Sequence, residues 1–246
     1  MTQAPTRRGR LREGTVADIK RTARELLVYG GPTAISLRAI ARTLGMSAAA
    51  LYRYFPSLEA LVMEVAGDLY DELRGAVTAA GEAAGGTGGG GDPAARLAAM
   101  ARAFRAWSRS HPAEFALMFG TPVPGVAELE DDCLSPDHPG ALLGAAFLEP
   151  FVALWHTGAA PHRPAPDLGT STAPLLGVHG ENLPAGALAA FLAAWTRLYG
   201  LIAMEVFGHL RWAVTDVEPL FEAELAAFLR ELGEGAEPRP PATNLR

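Results

Sequence analysis

A chain of 246 residues with 47 Ala and 32 Leu against 12 Val and 4 Ile is weighted toward helix formers and away from the β-branched residues that sheets favour. It is 49% hydrophobic and 20% charged, too apolar for a disordered chain, and its lone Cys133 excludes an internal disulfide or a multi-cysteine zinc site. The net charge of −6 is unevenly spread: Met1 to Pro56 carries ten Lys or Arg against Glu13, Asp18 and Glu25, a net of +7, so the other 190 residues carry −13. The first quarter suits a polyanion and the rest repels one. The longest unbroken apolar run, Ala187 to Trp195, is well short of the roughly 18 residues of a bilayer span. Arg7, Arg8, Arg10 and Arg12 are followed by no apolar segment of the kind that makes a secretory signal. The expectation is a cytoplasmic, all-α protein of two domains with no membrane partner.

Residues 1–14, polar and Arg-rich without periodicity, read as a disordered basic arm. Val16, Ile19, Ala23, Leu26 and Leu27 then share one face of a first helix, which Gly30, Gly31 and Pro32 end. Ser36 offers an N-cap to a short second helix, Leu37 to Leu44, with an apolar face of Leu37, Ile40, Ala41 and Leu44. Gly45 stops it, Ser47 caps a third helix from Ala48 to Phe55, and Pro56-Ser57 breaks that one. Two short helices joined by a tight turn containing Gly form a helix-turn-helix, and the domain that holds it is placed at 15–62.

A second, larger helical domain is expected over 63–232. Its first helix runs from Leu58 to Ala80, followed by a Gly-rich linker at 81–92. No strand precedes that segment and no Gly-Lys-Ser/Thr closes it, which argues against a phosphate-binding loop. Asp92-Pro93 starts a helix to Ser110, and further helices are expected at Ala113 to Phe119, Gly140 to His156, Ala185 to Leu210 and Val217 to Leu232. Residues 120–139 and 158–184 are irregular, and 233–246 read as a disordered tail.

The stretch from Ser36 to Val62 combines this helix-turn-helix spacing with Leu51-Tyr52-Arg53-Tyr54-Phe55, the Pro56-Ser57 break and Glu59-Ala60-Leu61. It resembles the DNA-binding signature of the tetracycline-repressor (TetR/AcrR) family over about residues 15–65. The segment from Trp107 to Gly125 is similar to the WHG subgroup of that family. The resemblance implies a three-helix DNA-binding domain followed by a larger helical domain for effector binding and dimerisation. It also implies a homodimeric regulator of transcription rather than an enzyme, and a palindromic double-stranded operator. The function expected is a repressor released by a small hydrophobic or aromatic effector. Two alternatives stay open: a DNA-binding regulator without an effector, its pocket filled by side chains, and an all-α enzyme.

The third helix should enter the major groove with its N-terminal residues nearest the bases. Ser47 caps it, and Ala48, Ala49 and Ala50 offer only methyl contacts, so polar readout falls to Arg38 and Arg53. The resemblance adds phosphate contacts at Tyr52, Tyr54 and Ser57, and a cation at the next position, which is Leu58 here. Arg7 to Arg12 are candidates to replace it through the minor groove. In the larger domain, Phe104, Trp107, Phe115, Phe147, Phe151 and Trp155 lie on apolar helix faces and are the candidate ligand pocket, with His111 or His179 as orienting polar groups. Phe191, Trp195, Leu198, Ile202 and Glu205 are the candidate dimer interface, Glu205 as a buried carboxylate paired with a cation. The six histidines form no i, i+4 pair and there is no Gly-x-Ser-x-Gly elbow, so neither a metal, a cofactor nor a catalytic residue is expected.

Overall fold

The computed structural model describes residues 6–85, 91–120, 138–156 and 185–233. These residues form helices and no strand, as the Ala-and-Leu-rich composition requires. In chain order they are α1 (Arg7–Gly30), α2 (Leu37–Thr43), α3 (Ala48–Leu51), α4 (Leu58–Gly85), α5 (Pro93–Ser110), α6 (Pro112–Phe119), α7 (Pro139–His156), α8 (Ala185–Val206) and α9 (Glu218–Gly233). Cys133, His162, His179, most of the Gly-rich linker and the tail beyond Gly233 lie outside the described residues. The chain divides into two compact units. One holds residues 1–72 and 111–133, and the other holds 73–110 and 134–246.

In the first unit the expected arm is, from Arg7 onward, the start of α1. Arg and Leu are strong helix formers, and Thr6 caps the end by accepting a hydrogen bond from the Gly9 amide at 3.2 Å. The helix therefore propagates outward from its packed half. That half buries Ile19, Thr22, Ala23 and Leu27 in a core completed by Leu37, Ile40, Ala41, Leu51, Phe55, Leu61, Val65, Leu69 and Phe115. Its cations meet carboxylates on neighbouring elements. Lys20 lies 2.6 Å from Asp68, and Arg24 reaches Glu72 at 2.7 Å and the buried Glu114 at 3.1 Å. The Tyr70 hydroxyl also donates to the Met118 carbonyl at 3.0 Å, so α6 is fastened to both α1 and α4.

The second unit is built around α5, which buries Leu97, Ala98, Met100, Ala101, Phe104 and Trp107. Leu143, Phe147, Leu148, Phe151 and Leu154 of α7, Phe191 and Ile202 of α8, and Phe221 and Leu225 of α9 complete its core. Helix α4 continues to Gly85, through the first five residues of the expected linker. Gly81 is buried, and a Cβ there would stand 2.9 Å from the Met100 side chain, so this glycine serves helix packing rather than chain flexibility. Helix α8 ends at Val206, four residues before the expected end. Gly208, at φ +73°, closes it with amide bonds from Gly208 to the Glu205 carbonyl and from His209 to the Met204 carbonyl, a Schellman arrangement.

Arg105 lies under this unit's surface with a side chain only 5% exposed. Its Nε and Nη2 donate to the two Glu205 oxygens at 2.6 and 2.8 Å, its Nη1 pairs with Glu218, and its guanidinium carbon stands 4.9 Å from the Phe221 ring centroid. Glu205 and then Glu218 push the guanidinium pKa further up, against the effect of burial. Glu205 is half-buried and paired with a cation of its own chain. Nearby, the Arg102 guanidinium holds Glu222 below the ordinary carboxyl range. That largely exposed pair contributes its small stabilisation above this range and loses it as pH falls through Glu222's depressed value. We expect Glu205→Ala to cost about 3 kcal/mol by leaving Arg105 Nε and Nη2 without their acceptors, and Arg102→Ala under about 1 kcal/mol, both read by urea denaturation.

Candidate nucleic-acid interface and apolar cleft

Helix α3 is only four residues long. Three local devices fix it. Ser36 caps α2 through the Ala39 amide at 3.2 Å, and Ser47 caps α3 through the Ala50 amide at 3.2 Å. Between them Gly45, at φ +64°, lets its amide reach the Arg42 carbonyl and lets the Met46 amide reach the Ala41 carbonyl at 2.9 Å, which satisfies the end of α2. The third helix was expected to run to Phe55. Instead, residues 52–54 are a tight turn in which the Arg53 and Tyr54 amides bond three residues back, to Ala50 and Leu51. Leu51 and Phe55 are buried and anchor the two ends of that turn.

This arrangement leaves a polar surface. Arg38, Ser47, Ala48, Ala49, Tyr52 and Arg53 are exposed, and Ala50 and Tyr54 are half-buried. Ser57 accepts from the Ala60 amide at 3.0 Å and so caps the start of α4. The expected DNA-contact residues are therefore all carried by one compact unit, between Arg38 and Ser57. Arg12, already a candidate DNA contact from the sequence, has its guanidinium carbon 5.9 Å from the Tyr54 ring centroid. Nothing in linear spacing signals that contact. Within each of the caps, loss of one side-chain acceptor leaves an amide unsatisfied, so Ser47→Ala and Ser57→Ala should each lower stability by about 1 kcal/mol in thermal melts.

The second unit contains an apolar cleft of about 620 Å³, its open mouth included. Leu97 and Ala101 of α5, Phe147 and Phe151 of α7, Phe191, Ala194, Trp195, Leu198 and Leu201 of α8, and Phe221, Leu225 and Phe228 of α9 line it, with Arg197 and Glu224 as its charged groups. The rings pack on one another: Phe104 is stacked on Trp195 at 6.0 Å, Phe151 meets Phe191 edge-on at 5.3 Å, and Trp155 is stacked on Phe151 at 6.1 Å. Of the expected pocket residues, Phe147 and Phe151 are in the wall, with Phe104 and Trp155 against it. Trp107 is buried in the same unit, whereas Phe115 and His111 belong to the other one. There Phe115 packs on Phe119 at 4.8 Å, and His111 Nε2 is 3.8 Å from Glu72.

The residues expected at a dimer interface make these contacts within their own chain. Phe191, Trp195 and Leu198 line the cleft, Ile202 is fully buried, and Glu205 faces Arg105. Helix α8 is apolar on nearly every side, so its period does not tell the inner face from the outer. On α9 the Phe221, Leu225, Phe228 spacing of four and three was the signal that a wall was present. The window Ala187–Val206 has a mean hydropathy of 1.5, which by length and composition alone is enough to cross a membrane, although its longest unbroken apolar run is short. Only 28% of that window is buried within the chain, and Met204 and the adjoining Phe207 are exposed.

The family model for bacterial regulatory proteins of the tetR family matches residues 19–65, and that for the tetracyclin repressor-like C-terminal domain matches residues 97–228. The HTH-type transcriptional regulator Mb1846 of Mycobacterium bovis is 30% identical, over 91% of this chain and 94% of its own length. The crystal structure of regulatory protein SCO4313 superposes with a TM-score of 0.67 at 33% identity, covering 91% of this chain and 99% of that one. A tetR family transcription regulator from Shewanella sp. PV-4 shares the fold, with a TM-score of 0.54 at 18% identity over 87% of this chain and 95% of that one. Matched at both its helix-turn-helix and its larger helical part, the chain belongs to the TetR family of DNA-binding transcriptional regulators.

Proposed function

We propose that the protein is a repressor that binds a palindromic duplex operator as a homodimer in the cytoplasm and is released by a small hydrophobic or aromatic effector. The observation that carries the effector is the lining of the cleft, whose wall is aromatic and aliphatic with charge only at Arg197 and Glu224. Clefts with that lining take apolar molecules and orient them with a few polar groups. The observation that carries the dimer is the sparse burial of α8, since soluble monomers rarely leave so much contiguous apolar surface uncovered. Two copies related by a two-fold axis would present two α3 helices to major grooves roughly 34–36 Å apart. An effector that prefers a dimer with a different spacing would then shift the population off the operator.

DNA recognition is assigned to Arg38, Ser47, Ala48, Ala49, Ala50, Tyr52, Arg53, Tyr54 and Ser57. Selection from random duplexes should return one inverted-repeat sequence bound with Kd of about 10⁻⁸–10⁻¹¹ M at physiological salt. Recovery of no preferred sequence overturns the assignment. Arg38→Ala should cost about 1–3 kcal/mol of binding and relax one base position, measured by gel shift on single-base variants. Light scattering should give about twice the chain mass of 25.8 kDa at micromolar concentration. In a release screen with apolar aromatic compounds, Ala194→Phe, which fills the cleft from α8, should keep operator binding and abolish the response.

A further inference from the structure

We propose that the first two turns of α1 are a second, base-independent DNA contact, in which Arg7, Arg10 and Arg12 bind backbone phosphates flanking the site read by α3, with Tyr54 holding Arg12 in place. The inference rests on the operator-binding reading above and adds to it a surface outside the helix-turn-helix.

Helix α1 has two halves of opposite character. From Ile19 onward it is packed, and its cations Lys20, Arg21 and Arg24 all face carboxylates. Between Arg7 and Asp18 no described side chain is buried, and Leu11 is 66% exposed. At about 1.5 Å per residue, Arg7 stands roughly 18 Å along the axis from Ile19, the first core residue. A helical extension that buries nothing is marginal in water, so its order depends on the Thr6 cap, on continuity with the packed half and on its contacts with the rest of the unit.

The contact that sets its direction is Arg12 over Tyr54. Tyr54 sits in the turn that closes α3, so the ring ties the basic half of α1 to the segment that carries the DNA-contact residues. Where Lys20, Arg21 and Arg24 are neutralised by acids, Arg12 rests on an aromatic face. That face favours its charge and leaves its planar fork of N–H donors for bidentate capture of a phosphate. Arg7, Arg10 and Arg12 are exposed, and Arg7 to Arg12 contain no acid. These cations lie outside the helix-turn-helix, and contacts made there to phosphates fix the protein's register on the duplex without reading sequence.

The test compares the full-length protein with its Arg7→Ala/Arg10→Ala/Arg12→Ala form on a selected operator embedded in long flanks. Because none of the three is buried, helix content and melting temperature should be unchanged. The magnitude of the slope of log K against log salt should fall by about 0.9 for each phosphate no longer neutralised. The preferred sequence should stay the same, and the hydroxyl-radical footprint should retract from the flanks. Arg12→Ala and Tyr54→Leu should lose affinity less than additively, because each removes the same stacked pair. If the triple variant matches the parent in affinity, salt slope and footprint, the flanking contact is overturned while the operator reading stands. If the unaltered protein selects no sequence, it is the operator reading that fails. A changed base preference in the triple variant would overturn the base-independent assignment.

Discussion

A four-residue second helix of a helix-turn-helix has no stability of its own, and the first compact unit is organised around that constraint. One turn of helix makes too few hydrogen bonds to offset the ordering of its backbone. The orientation of α3 is therefore imposed from outside: by Leu51 and Phe55 anchored in the core, by the Ser47 cap at its start, and by the left-handed Gly45 that sets the angle at which α2 hands the chain over. The alanines of α3 follow from the same constraint. They favour the helix and add no side chain that would have to be ordered.

The second unit solves a different problem, which is to keep several apolar helices apart enough to leave a cleft. Arg105 does part of this. A buried guanidinium must be met by carboxylates, and Glu205 and Glu218 come from the end of α8 and the start of α9. Meeting that requirement fixes where α8 and α9 approach α5, and Phe221, which the guanidinium covers, is part of the cleft wall. Beyond this point the walls are aromatic, and their tilted and stacked contacts hold the rings in register with one another rather than collapsed onto α5.

Local signals made most of the fold legible. Ser36, Ser47, Gly45 and the Pro56-Ser57 break act within a few residues of themselves, so the start of each short helix could be placed from sequence. Boundaries that depend on a distant neighbour could not. Gly81 looks like linker composition until Met100 is seen against it, and Arg7 to Gly14 look like an arm until the packed half of α1 is seen to extend through them. The aromatic residues were recognisable as a group, but which of them face each other depends on helix rotation. Phe115 and His111 went to one unit, and Phe191 and Trp195 turned inward to the cleft of the other. The Arg12–Tyr54 contact joins residues 42 positions apart, which no period reveals.

The fastening of α6 to α1 bears on how regulators of this kind can diversify. Glu114 is buried and receives Arg24, and Phe115 is fully buried in the same unit, although both lie after the Gly-rich segment and within the part matched by the C-terminal family model. The piece of chain that folds as one body is thus discontinuous, and its edge is not the edge of the sequence motif. A crossover at the end of the motif would set Arg24 against another chain's counterparts of Glu72 and Glu114. A helix-turn-helix cut out at the end of its motif therefore leaves behind carboxylates and core side chains that its own first helix packs against.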